Sequence, residues 1–141
     1  MSQRVPIAKP RSGAEIDEIA LRIIKKFQPE ALHEPTPFEI ERFFECELEN
    51  MCGVSPDYRT DLPLGIYGYT DSEEMVSVIS SGLMDDPRQL RFARSTMAHE
   101  TGHALIHVPE FRLKKALLRS IHDKEHVSLR LHREANVKIY M

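Results

Sequence analysis

The feature that most restricts this chain is the run His99-Glu100-Thr101-Gly102-His103. Two histidines four apart share a side only if the segment is helical, where Cβ atoms at i and i+4 stand roughly 6 Å apart. At that spacing both imidazoles can close on one metal ion, and Glu100, one residue further round, borders the position left for water. The chain must therefore build a helix here and bury enough of it to hold the rings still. Met97, Ala98, Ala104, Leu105 and Ile106 supply apolar residues for that burial. A zinc ion bound there lowers the pKa of a water molecule to about 7, and Glu100 is placed to take the proton. Amide hydrolysis is the chemistry these residue types suit. The bland alternative, a chance match on a solvated helix, fits poorly with so many apolar neighbours.

Two residues of the motif region carry further expectations. Gly102 inside a helix costs about 1 kcal/mol relative to alanine, so its presence predicts a close approach by another backbone or by substrate. His107 continues the four-residue series, but it should lie about 9 Å along the axis from the midpoint of His99 and His103. That is too far for the same ion unless the helix breaks, which leaves His107 a supporting or core role. His33, His122, His126 and His132 stand singly, and packing or surface roles are expected for them.

Around the motif the pattern alternates between helix and strand. Residues 1–11 read as a loose tail, and residues 12–141 as a single domain. Ser12-Gly13-Ala14-Glu15 is a capping box, followed by Ile16, Ile19, Ala20, Ile23, Ile24 and Phe27 as one apolar stripe ending before Pro29. Thr36-Pro37 repeats the start signal for a second helix, with Ile40, Phe43, Phe44, Leu48 and Met51 as its buried face and Gly53 as its stop. Gly65 to Tyr69 and Met75 to Ile79 are β-prone and joined by the polar residues 70–74, which predicts two antiparallel strands. Asp86-Pro87 opens the motif helix, and Pro109 should end it near Val108. Beyond that, Lys114 to Ile121 is helical in pattern, Val127, Leu129 and Leu131 alternate like a strand, and 134–141 fits either state.

Composition excludes several classes. Charged residues make up 29% of the chain and hydrophobic residues 41%, so it is neither disordered nor membrane-embedded. No run approaches the ~20 apolar residues of a membrane span, and the first residues lack the apolar centre of a secretory signal, which predicts a cytoplasmic protein. Cys46 and Cys52 are not spaced like a zinc knuckle and read as free thiols. The net charge of -3 disfavours a nucleic-acid binder, although residues 111–141 carry eight Lys/Arg against three Asp/Glu. A nucleic-acid role for that basic end is the weakest of the functional alternatives.

Taken together, the stretch Gln89-Leu90-Arg91-Phe92 through His99-Glu100-Thr101-Gly102-His103 to His107 resembles the motif helix of the ImmA/IrrE group of small metallopeptidases. The two preceding helices and the strands at Gly68-Tyr69 and 76–81 come in that family's order, so the resemblance covers roughly residues 14–108. It implies an α+β, zincin-like fold with N-terminal helices, a small antiparallel or mixed sheet and a central H-E-x-x-H helix. It also implies zinc, with manganese as a second candidate, held by His99 and His103, with Glu100 as the base. Val76 to Ile79 would be the strand beside the cleft, able to take an extended substrate by strand addition. The implied partner is a helix-turn-helix repressor, cleaved to switch on stress or mobile-element genes. The runner-up is a zincin-fold binding module without turnover.

The family takes its third ligand from a glutamate opening a late helix, commonly E-x-x-A-N. In one register Glu134-Ala135-Asn136 falls on that helix, but Glu134 directly precedes the alanine and His132 occupies the ligand place. In the other, residues 130–140 are the basic segment before that helix, and the glutamate lies beyond Met141. The second register is the expectation, so that two histidines alone would bind an ion weakly.

Overall fold

The fold begins where the capping box predicts it. In the computed structural model, which describes residues 8–121 and 130–134, the Ser12 hydroxyl accepts from Glu15 N–H and the Glu15 carboxylate accepts from Ser12 N–H, opening α1 (Gly13–Phe27). The stretch before it is anchored, with Ala8 buried and Lys9 N–H donating to Glu110 at 3.0 Å. α1 has no fully buried residue despite its apolar stripe.

After a 3-10 turn at Pro29–Leu32, the second helical segment starts at Ile40 and not at Thr36-Pro37. The Gln28 side chain explains the shift. Its amide donates to Pro37 O at 2.9 Å and accepts from Glu39 N–H at 2.8 Å, so 37–39 is held outside the helix, which opens without its own capping side chain. The segment comprises α2 (Ile40–Arg42), a π turn at Phe43–Glu47 and α3 (Leu48–Cys52). Gly53 ends it at φ 76°, a left-handed value that a glycine adopts without strain. Phe43, Phe44 and Leu48 face the main core with Val54, Ile79, Met97, Ala104 and Val108.

Among the described residues four strands follow, in mixed order β1-β3-β2-β4. β2 (Ile66–Asp71) and β3 (Val76–Ser80) are the antiparallel pair expected from the sequence, with β2 running two residues into the polar stretch. Asp71 makes the tight connection by accepting from Glu73 and Glu74 N–H. β1 (Ser55–Arg59) lies parallel to β3 at the edge, and the sequence gives no alternating apolar pattern for it. Its Pro56 is tolerated because an edge strand has unpaired backbone positions. β4 (Arg130–Glu134) pairs antiparallel with β2, and of the expected strand at 127–131 only its last two residues lie within the described region. β3 is buried on both faces. Ser77 and Ile79 point to the helices, while Val76 and Val78 join Tyr69 on the other side.

After the short α4 (Ser81–Met84), the Asp86 carboxylate caps the turn Pro87–Gln89, and α5 (Leu90–Gly102) runs across β2 and β3. It does not stop at Pro109. A π turn at His103–His107 links it to α6 (Val108–Ile121), with Val108 N–H donating five residues back to His103 O. That shift offsets the ladder, so Pro109 falls in the first turn of α6, where proline is tolerated. Arg112 donates to Ser72 O at 3.0 Å, and Lys115 pairs with Glu73, fastening α6 to the β2-β3 turn. Both cysteines are free thiols, and no described helix is long and apolar enough to cross a membrane.

Candidate metal centre

Helical spacing and burial together decide where the motif side chains go. His99, on α5, and His103, the first residue of the π turn that continues it, project from the same side, and their Nε2 atoms come within 2.9 Å of each other, the rings set edge to face at 84°. His103 is buried at 1% exposure. A tetrahedral zinc with Zn–N of about 2.0–2.1 Å requires its nitrogens roughly 3.3 Å apart, so the pair would have to open by only a few tenths of an ångström. Two imidazole nitrogens at this separation are spaced to serve a divalent ion as a two-point clip. Among the described residues no group of three or more His, Cys, Asp or Glu side chains is gathered for a metal.

Glu100 turns toward the sheet and is completely buried. Its Oε1 accepts from the Thr70 hydroxyl at 2.9 Å, and Thr70 Oγ1 lies 2.7 Å from Ser77 Oγ. A carboxylate only accepts and each hydroxyl has one hydrogen, so the chain runs Ser77 to Thr70 to Glu100. All three groups are at 0% exposure, where a missing partner is expensive. The approach of strand to helix depends on Gly68. A Cβ there would sit 2.8 Å from Val78 O, 3.2 Å from Thr96 Cγ2 and 3.3 Å from Glu100 Cγ.

No described backbone makes the close approach expected at Gly102, and the tight contact between strand and helix is at Gly68 instead. Around Gly102 nothing described lies within 4 Å of an added Cβ, because that side of α5 faces an apolar cavity of about 310 Å³ beneath α1. Thr70 and Ser77 were not singled out by the sequence. The available signal was a pair of hydroxyls among β-branched and aromatic residues, Thr70 after Tyr69 and Ser77 between Val76 and Val78, which alternation places on one face.

His107, four residues on at the end of the π turn, has its Nδ1 3.0 Å from His103 Nδ1, the nitrogen facing away from His99. Its ring stacks on Phe111 at 21°. Burial pushes its pKa below the ordinary histidine value, with Glu110 opposing that shift and Arg11 adding to it.

Two further expectations change. β3 lies between β1 and β2, so both its edges are already hydrogen-bonded and Val76 to Ile79 has no edge to offer an extended substrate. Glu134 and His132 are on a strand and not on a helix: in β4 their backbone partners are Ile66 and Tyr69. The helical register through Ala135 and Asn136, and the histidines His122 and His126, lie outside the described residues. Comparison of the chain with family models, with curated proteins and with solved structures finds no match.

Proposed function

We propose that this chain is a zinc-dependent metallopeptidase of the ImmA/IrrE kind with a zincin-like fold, manganese being the second candidate ion. Its proposed substrate is a helix-turn-helix repressor in the cytoplasm, cut by limited proteolysis. The observation that carries the reading is the convergence of His99 Nε2 and His103 Nε2 to 2.9 Å where α5 passes into the π turn. In this reading His99 and His103 hold the ion, which when bound would polarise water and the scissile carbonyl. Glu100 takes the proton of the attacking water and passes it to the leaving amine. Thr70 holds one carboxylate oxygen, which sets the direction in which the proton is accepted. The substrate class rests on the resemblance of the motif helix alone.

Two measurements test it. Elemental analysis of the parent is expected to give one divalent ion per chain, and His99→Ala/His103→Ala none; equal content in the two removes the site. With a helix-turn-helix repressor that the parent cleaves as substrate, Glu100→Gln should keep the ion and lose roughly 10²–10⁴-fold in cleavage rate. The burial of Glu100 favours one rival, a binding module that keeps the fold without turnover. Tight binding of a helix-turn-helix repressor with no cleavage at full metal occupancy would establish the rival.

A further inference from the structure

His103 has two ring nitrogens, and each meets another histidine: Nε2 faces His99 Nε2 at 2.9 Å, Nδ1 faces His107 Nδ1 at 3.0 Å. Each N···N contact can hold one proton, and a neutral imidazole carries a proton on only one nitrogen. Two arrangements therefore satisfy the row. In one, His107 donates to His103 and His103 donates to His99. In the other, His99 donates to His103 and His103 donates to His107. An ion between His99 and His103 needs both Nε2 lone pairs, which removes the proton from that contact and leaves the proton of His103 on Nδ1. Only the second direction is compatible with that, and its acceptor is His107 Nδ1.

We infer that His107 is the positioning residue of this centre: its Nδ1 accepts from His103 Nδ1–H and so holds His103 in the tautomer that presents Nε2 to a metal. This rests on the metal-centre reading above. The place is one that a carboxylate or backbone carbonyl commonly fills beside a ligating histidine. Here His107, at the end of the π turn, has its acceptor in range at 3.0 Å, and its ring stacks on Phe111, itself 1% exposed. A structural filler would need the ring and its stack but not the acceptor nitrogen, which separates the two roles experimentally.

The test uses the full chain and Zn²⁺ alone, in competition with a chromogenic chelator. His107→Phe keeps an aromatic ring against Phe111 and removes the acceptor; Zn²⁺ affinity should fall about 10- to 100-fold. His107→Gln, whose amide oxygen can accept, should recover part of that loss. Nitrogen-15 imidazole spectra of the zinc-loaded parent need no variant, and should show the proton of His103 on Nδ1 and an unprotonated Nδ1 on His107. Affinity in His107→Phe equal to the parent, equal weakness in the Phe and Gln variants, or a proton on His107 Nδ1 in the loaded parent would each overturn the inference. A parent that binds no zinc overturns the metal-centre reading itself, and the inference with it.

Discussion

The two sides of α5 are built to different tolerances. Toward the sheet, β2 comes so near that a single methyl group at Gly68 would meet the backbone oxygen of Val78 at 2.8 Å. Toward α1 the same helix looks into an apolar cavity of about 310 Å³, lined by Ile19, Ile23, Ala98, Gly102 and Leu105 among others. The stripe on α1 has the right spacing for a core face, yet no α1 residue is fully buried. The difference teaches that the sheet, and not the N-terminal helix, positions Glu100 and with it the turn of helix that carries both histidines. Precision resides where polar groups are sealed from water, because there each misplaced atom leaves a donor or acceptor unmatched.

The largest effect should come from the buried hydroxyl chain. Thr70→Val keeps nearly the same shape but takes a donor from Glu100 and an acceptor from Ser77, all fully buried. A loss of about 3 kcal/mol is expected in urea denaturation, with the slope unchanged. A loss below about 1 kcal/mol would mean that the sheet side tolerates disorder as readily as the α1 side, and the comparison would collapse.

Next in size is the steric limit itself. Gly68→Ala places a Cβ against Val78 O, a backbone atom that cannot swing aside, and against Thr96 and Glu100. Strand and helix must separate, at a cost of about 2 kcal/mol. The same separation draws Thr70 away from Glu100, so any peptidase activity should fall together with stability. Unchanged melting in this variant would show that the sheet side has slack.

How much of this could be read beforehand depended on whether the cause was local. The Ser12-Glu15 box, the β2-β3 pair and the Asp86 cap are set by neighbours in sequence, and each appears where its residues indicate. The start of α2 was misplaced because its controlling side chain, Gln28, lies 11 residues before Glu39. The helix outlasts Pro109 because a π turn shifts the hydrogen-bond ladder, and no residue type announces such a turn. β1 escaped notice since its order comes from pairing with β3 at an edge and not from apolar alternation. At the site, the spacing of His99 and His103 made their convergence legible, whereas Thr70, Ser77 and Gly68 reach Glu100 only through the packing of β2 on α5.

The smallest effect should have the opposite sign, and it probes the open side. Gly102 sits in ordinary helical geometry, φ -58° and ψ -44°, with nothing described within 4 Å of an added Cβ. The conformation asks nothing of glycine, so alanine should reduce the freedom of the unfolded chain and stabilise by about 0.5–1 kcal/mol. For a chain of this size that is a rise in Tm of roughly 2–4 °C. Gly68→Ala and Gly102→Ala would then be the same chemical change on the two sides of one helix, with opposite outcomes. A fall in Tm for Gly102→Ala would mean that the cavity side is closed by contacts as tight as those of the sheet, and would refute the comparison. If Tm rises as expected, KM and kcat toward the proposed substrate decide why a helix of this kind carries glycine. A raised KM at constant kcat would place substrate against Gly102, the one form of close approach left open once packing by a described backbone is excluded.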